Sequence, residues 1–307
     1  MGLYHRPKAQ SLNALAAREG WRAAAREYAR TEHPTRYDYY YEYIASESRA
    51  DFAILTNLTP QSRVLDVGSG WGNLATGLAR VAGEVYALDT TYENLEFVAI
   101  RAAQENLADV YPLGAGATRL PFPDEFFDLI VMNGVLEWVG TGEDSASALD
   151  LQRQALHQAW RKLKPGGSLY IGIENRWGFV YFLGRADPHT DLRFVTLLPR
   201  PLADLYARLV QKRPYRALTH SRPGLQKLLH AAGFTQADFY YPILGYQNYR
   251  FLTTFDRQNI AEFLLLNLRA FPRFSPFLYA IAVRALHLGL LPLLRLTYPS
   301  FSVLAGK

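Results

Sequence analysis

The chain has 307 residues, 49% of them hydrophobic and 20% charged, with no cysteine. That composition suits a folded α/β domain with a sizeable core, and it excludes disulfides and thiolate metal sites. The net charge of +5 is unevenly spread: residues 1–180 carry 17 Lys/Arg and 22 Asp/Glu, whereas residues 181–307 carry 16 and 6. The second part therefore turns positive charge toward any anionic surface or substrate near it.

Met1 to Gly20 lacks the apolar core of a signal peptide, which makes a cytoplasmic location the expectation. Leu12, Leu15, Ala16, Trp21, Ala25 and Tyr28 recur at helical spacing and predict a helix over 10–30. Five tyrosines at 37, 39, 40, 41 and 43 lead into a second helix through Leu55. Most of these rings are expected to pack a helical cap, residues 1–61, onto a sheet, with one or two facing a ligand. From Val64 strands and helices alternate, as in a mostly parallel sheet. Strands are predicted from Val64, over Glu84–Asp89, Val110–Leu113, Phe127–Asn133 and Ser168–Ile173, and helices over Leu95–Leu107 and Leu149–Leu163. Lys164-Pro165-Gly166-Gly167 reads as the stop after the second helix.

Beyond Glu174 the pattern is less regular, with a helix over Pro223–Ala232 and strands over Asp238–Leu244 and Phe301–Ala305. Between those strands lies an apolar, helical stretch, 256–297, punctuated by Pro272, Pro276 and Pro292. Phe277 to Leu296 has the length of a membrane span. Arg284, His287 and Arg295 within it, and the break at Pro292, argue instead for a cap or an interfacial contact.

The chemistry-bearing stretch is Val64-Leu65-Asp66-Val67-Gly68-Ser69-Gly70-Trp71-Gly72-Asn73-Leu74-Ala75. A buried strand breaks into glycines at alternate positions, where the backbone bends and approaches a ligand without a Cβ in the way, and then starts a helix. The dinucleotide fingerprint requires glycine where Asn73 stands. Asp89, at the end of the next strand, is placed to accept hydrogen bonds from ribose hydroxyls.

With Asp89, Leu120-Pro121-Phe122-Pro123-Asp124, Phe127-Asp128, Asn133-Gly134-Val135-Leu136-Glu137 and Leu163-Lys164-Pro165-Gly166-Gly167-Ser168-Leu169, the stretch resembles a class I S-adenosylmethionine-dependent methyltransferase over residues 62–176. The resemblance implies a Rossmann-like, seven-stranded, mostly parallel sheet with helices on both faces. Its core would span 62–245, with an acceptor-side insertion at 177–222, an apolar helical insertion at 246–298 and the final strand in 299–307. It implies S-adenosylmethionine as cofactor, held by Asp66, Gly68, Ser69, Gly70, Gly72, Asp89, Thr90, Ala117, Thr118, Asn133, Gly134 and Val135. Two positions depart from the family. Gly116 replaces an acid that often holds the adenine amino group, which leaves backbone groups around Ala117 and Thr118 for that role. Trp138 replaces a histidine, so that ring cannot serve as a base.

A narrower likeness, to methyltransferases found with enzymes of bacterial cell-surface polysaccharide synthesis, rests on Glu174-Asn175-Arg176-Trp177-Gly178, Tyr181, Asp187-Pro188-His189-Thr190 and Phe239-Tyr240-Tyr241-Pro242. Asp191 stands there in place of an expected glycine. The leading expectation is methyl transfer to a hydroxyl of a sugar or lipid-linked glycan, with contact to the inner face of a membrane through 256–297 as a further expectation. Alternatives are an apolar small-molecule acceptor of quinone or polyketide type, and a cofactor-binding partner protein without turnover. A hydroxyl acceptor needs a base; His189 is the first candidate, with Glu174 and His220 behind it. No His/Asp/Glu spacing matches a metal site, so metal independence is expected. Nucleic acid is not expected as substrate, because Asn133-Gly134-Val135-Leu136 stands where base-amino methyltransferases carry an Asn/Asp-Pro-Pro-Tyr/Phe motif.

Overall fold

The computed structural model describes residues 6–141, 147–243, 245–249, 251–254, 256, 258–259, 284 and 287–307. Five strands, β1 (Arg63–Val67), β2 (Glu84–Asp89), β3 (Val110–Gly114), β4 (Phe127–Asn133) and β5 (Leu163–Glu174), pair in parallel. Further along the chain come β6 (Gln236–Ile243), β7 (Phe251–Thr253) and β8 (Ser300–Gly306), joined antiparallel. The order across the sheet is β3-β2-β1-β4-β5-β8-β6-β7. The seven expected strands are present, and the three-residue β7 adds an eighth at the edge.

Period-two alternation divides the core into two layers. Leu65 and Val67 of β1 meet Leu156 and Ala159 of α6 (Ala148–Lys162) and Leu225 and Leu229 of α9 (Arg222–Ala231). Val64 faces the other way, onto Leu74 and Leu78 of α4 (Asn73–Leu78) and Val98 and Ala102 of α5 (Tyr92–Gln104). The expected turn at Lys164–Gly167 lies inside β5, where the pairing jumps from Phe127↔Leu163 to Leu129↔Ser168.

The single helix expected over 10–30 is two, α1 (Arg6–Glu19) and α2 (Trp21–Glu32), hinged at Gly20 with φ +100°. Gln104 clamps the hinge: its Oε1 accepts from Trp21 N–H at 2.8 Å and its Nε2 donates to the Ala16 carbonyl at 2.8 Å. The tyrosine cluster forms α3 (Tyr37–Ala45), followed by a 3₁₀ turn over Ser48–Leu55. Beneath this cap Arg101 is wholly buried, donating to the Ile44 carbonyl at 2.9 Å, pairing with Glu105 at 3.2 Å and lying 4.0 Å from the Trp21 ring centre.

The insertion between β5 and α9 carries α7 (Phe179–Phe182) and α8 (Arg200–Gln211), and α8 packs with Leu192, Val195 and Tyr215 in a small core of its own. Residues just after β5 tie together the insertion and the segment that leads into β8. Asn175 Nδ2 donates to the Leu296 and Tyr298 carbonyls, both at 2.7 Å, and Arg176 donates to the Thr196 and Leu198 carbonyls. The helical stretch expected over 256–297 falls largely outside the described residues; a helix over Leu291–Thr297 is described at its end. Residues 246–254, expected to be helical, instead hold β7 and Tyr249, whose hydroxyl donates to the Arg49 carbonyl and accepts from Phe52 N–H. Among the described residues no helix is long and apolar enough to cross a membrane.

Candidate active site

Strand order reverses between β1 and β4, and a crevice opens at their carboxyl ends, as this topology requires. The turn after β1 takes φ values of +70°, +51° and +75° at Gly68, Gly70 and Gly72. A Cβ on Gly68 would sit 2.5 Å from Val135 Cγ2, so the position excludes other residues by backbone conformation and by space alike. Gly68 and Ser69 N–H both donate to the Leu88 carbonyl, at 2.7 and 2.9 Å, and this ties the loop to the end of β2. Asp89 completes the tie: Oδ2 accepts from Gly70 N–H at 3.0 Å and from Asn94 Nδ2 at 3.1 Å, and Oδ1 accepts from Thr91 N–H at 2.9 Å.

A cavity of about 310 Å³ lies over this loop. Of the expected cofactor residues, Gly68, Ser69, Gly70, Asp89, Thr90, Asn133, Gly134 and Val135 line it. Asp66, Gly72, Ala117 and Thr118 do not. Asp66 is buried within the sheet, with the Ala75 N–H as its hydrogen-bond donor. Gly72 packs against Val98 at the start of α4, and Ala117 packs onto the core. The Thr118 carbonyl accepts from Gln154. The expected cofactor set left out Arg49, Asn94 and Trp138, which also line the cavity, as does Tyr43, one of the five clustered tyrosines. Ser69 Oγ and Asn133 Oδ1 are buried there without hydrogen-bond partners. Polar atoms held ready in this way, a carboxylate at the β2 end and the cation of Arg49 suit a nucleoside that carries an amino-acid group.

A second cavity, of about 210 Å³, adjoins the first and shares Tyr43 with it. Its lining includes Tyr39, Tyr40, Tyr181, Tyr246 and Glu174, with Arg36 and Arg185. Three of the five clustered tyrosines thus reach the cavities, more than the one or two expected.

Between the cavities four ionisable side chains converge. Glu137 comes from the loop after β4, Glu174 from the end of β5, and Asp187 and His189 from the insertion. His189 Nδ1 and Asp187 Oδ1 are 2.8 Å apart, and this turns His189 Nε2 toward Glu137 and Glu174, each 3.9 Å away. That is beyond hydrogen-bond range. Tyr246 Oη lies 3.0 Å from Glu174 Oε1 and 3.3 Å from Glu137 Oε1. Burial raises the Glu174 carboxyl above its usual range, and the charge of Glu137 adds to the shift. Burial alone would lower His189; Asp187, Glu137 and Glu174 outweigh it and lift the ring to about 10. These surroundings favour an imidazole that already holds its proton, the opposite of what a general base needs. Asp191, in the turn that closes this segment, has φ +61°, the conformation in which the expected glycine is at ease.

His220, the remaining candidate base, stands apart from this cluster. Its Nε2 bonds Gln152 Oε1 at 2.7 Å, and Gln152 Nε2 donates to the Leu136 and Leu218 carbonyls. It braces the loop that carries Glu137. Burial, followed by Arg176 and Arg200, lowers the ring to about 4. Trp138 lines the cofactor cavity and meets the His189 ring edge-on, with centroids 4.8 Å apart.

Residues 65–171 match the family described as a methyltransferase domain. The demethylmenaquinone methyltransferase of Symbiobacterium thermophilum is 30% identical over 209 residues, which cover 64% of this chain and 77% of that protein. The ubiquinone/menaquinone biosynthesis C-methyltransferase UbiE of Vibrio vulnificus is 34% identical over 116 residues; the match covers 36% of this chain and 41% of that protein, less than half its length. A solved SAM-dependent methyltransferase from Methanosarcina mazei aligns with a TM-score of 0.48 at 16% identity, covering 81% of this chain and 94% of that one. A glycine loop clamped by the β2 carboxylate, within a matched methyltransferase domain and alongside a relative followed over most of its length, places this chain in the class I S-adenosylmethionine-dependent methyltransferases, with S-adenosylmethionine as its methyl donor.

Proposed function

We propose that the enzyme methylates an apolar, hydroxylated ring of quinol type, bound in the tyrosine-lined cavity beside the cofactor. The observation that carries this reading is the cavity itself. Aromatic rings make up much of its wall, and it meets the cofactor space at Tyr43. Flat rings recognise a flat ring by stacking and edge contacts worth about 0.5–1.5 kcal/mol each beyond area burial. The similarity to quinone methyltransferases supports the same acceptor class over the glycan hydroxyl expected first.

Beside the cavity residues Val180, Tyr181 and Arg185, the side chains of Phe179, Phe182 and Leu183 stand in solvent, Leu183 with 80% of its surface exposed. An apolar rim of this kind, flanked by arginine, suits an acceptor drawn from a lipid surface, and it offers a peripheral membrane contact within the described residues.

When bound, S-adenosylmethionine supplies an electrophilic methyl whose carbon–sulfur bond breaks as the acceptor takes the methyl and releases a proton. The chain's own work is positioning. Asp89 and the glycine loop fix one reactant, and the tyrosines hold the other across a shared wall. A labelled-methyl assay offering a short-chain quinol and a lipid-linked sugar tests the reading. Label in the quinol is expected; label in the sugar alone would overturn it.

A further inference from the structure

Glu137, Glu174 and His189 converge in a geometry that positioning of the two reactants does not require. One donor atom from each lies within 4.8 Å of the others, and the three come from separate segments of the chain. Two features set the group apart from an ordinary acidic cluster. The first is orientation: Asp187 holds His189 Nδ1, so the free Nε2 points at both glutamates. A carboxylate behind an imidazole is the arrangement that fixes ring direction and tautomer in metal sites. The second is an unmet need. Glu137 is wholly buried, yet its Oε2 has no hydrogen-bond partner, and Glu174 Oε2, the oxygen facing His189, has none either. Among the described residues neither glutamate pairs with a lysine or an arginine, and the protonated His189 ring stands 3.9 Å from each, too far to hydrogen-bond. Carboxylates taken out of water in this way cost several kcal/mol each unless a cation meets them.

We propose that Glu137, Glu174 and His189 bind a divalent first-row cation, with Asp187 positioning the imidazole. One nitrogen and two carboxylate oxygens form a mixed donor set that suits Mn²⁺, Fe²⁺ or Zn²⁺ and leaves coordination positions open. Bonds of about 2.0–2.2 Å let two ligands stand at most roughly 4.4 Å apart, so loading draws the carboxylates inward by a few tenths of an ångström. The proton on His189 leaves as the ion enters. Glu174 also lines the acceptor cavity, so an open position faces the space where an acceptor oxygen sits. There the ion would lower that hydroxyl's pKa and stabilise the oxyanion, doing the work that the sequence assigns to a base. This last role rests on the acceptor reading above; binding of the ion does not. An ion bound here would depart from the expectation of metal independence, which was drawn from spacing along the chain.

Chelator-stripped native enzyme is titrated with Mn²⁺, followed by paramagnetic resonance, and by calorimetry with Zn²⁺ and, under anaerobic conditions, with Fe²⁺. The same titrations are run on Glu137→Gln and Asp187→Asn. One saturable ion per native chain is expected. Affinity falls at least tenfold in Glu137→Gln and by about 10–100-fold in Asp187→Asn, while S-adenosylmethionine binding in both variants stays within threefold of native. The proposal is overturned if the native chain binds none of the three ions up to millimolar concentration. It is equally overturned if both variants bind the ion as native does while retaining the cofactor. Absence of quinol methylation in fully metal-loaded enzyme would count against the acceptor reading and leave the ion site standing.

Discussion

Asp89 ties the glycine loop to the cofactor cavity, and its replacement by asparagine separates two roles that the fold superimposes. All three of its partners are donors: Gly70 N–H and Asn94 Nδ2 on Oδ2, and Thr91 N–H on Oδ1. An amide has one acceptor end. If that end keeps Gly70 and Asn94, the new NH₂ faces Thr91 N–H, donor against donor. One hydrogen bond to a charged acceptor is lost, worth about 1.5–3 kcal/mol. A ribose diol donating to the same group loses a comparable amount, because the carboxylate charge is gone. Affinity for S-adenosylmethionine should therefore fall roughly 10–150-fold in Asp89→Asn, with a drop of about 1–3 kcal/mol in unfolding free energy. Calorimetry with the cofactor and urea denaturation without it read the two effects separately. A variant that is destabilised but binds the cofactor within threefold of native would show Asp89 to be a loop clamp alone, and the ribose assignment would fail.

Two further predictions concern buried charges. Burial, with the charge of Asp89 adding and Arg49 opposing, raises the Asp66 carboxyl from 3.8 to about 7. The folded state then holds a proton that the unfolded chain has released, so this group's contribution to stability declines as pH rises from about 4 to 7 and is level above. Asp66→Asn should lack that decline, with its stability relative to native improving by roughly 4 kcal/mol between pH 4 and 8; urea midpoints that run parallel in the two proteins would refute it. Arg101→Met removes a buried cation from Glu105 and from the Ile44 carbonyl. Because Arg80 still pairs with Glu105 at 2.6 Å, the loss should lie near the lower end of the 3–5 kcal/mol expected of a broken buried pair, about 3 kcal/mol by chemical denaturation. A loss under about 1 kcal/mol would show that the cap does not depend on it.

The parallel half of the sheet and the glycine loop are legible because their signals are local. Strands β2 and β4 match their expected limits at both ends, since a buried apolar run of five to seven residues bounded by turn residues has few other readings. Strand β7 has three residues and no period to detect. The hinge at Gly20 lay hidden in a helical pattern that continues on both sides of it. In the cofactor site, what could be read came from the strand ends, whereas Tyr43 and Arg49 arrive from the cap. The cluster between the cavities was the least legible part. Glu137, Glu174, Asp187, His189 and Tyr246 are spread over more than a hundred residues, and only the sheet and the stitches at Asn175 and Arg176 bring them together. A metal motif written on one helix or hairpin announces itself by spacing. Ligands drawn from three segments do not.

The position of β8 has a consequence for how the molecule becomes active. Although last in sequence among the described strands, it lies inside the sheet, hydrogen-bonded to β5 on one side and β6 on the other. Its residue Ser300 sits in register with Glu174. Contacts between segments this far apart in the chain form late, because the closure entropy of the intervening loop must be overcome first. The parallel strands β1 to β5 are joined by local βα pieces and can pair as they are made, whereas β8 takes its place between β5 and β6 only once the chain has run through Gly306. A molecule stopped short of β8 would lack the strand that pairs with both β5 and β6, along with the Ser300 wall of the second cavity, so truncation there should damage that side of the molecule first.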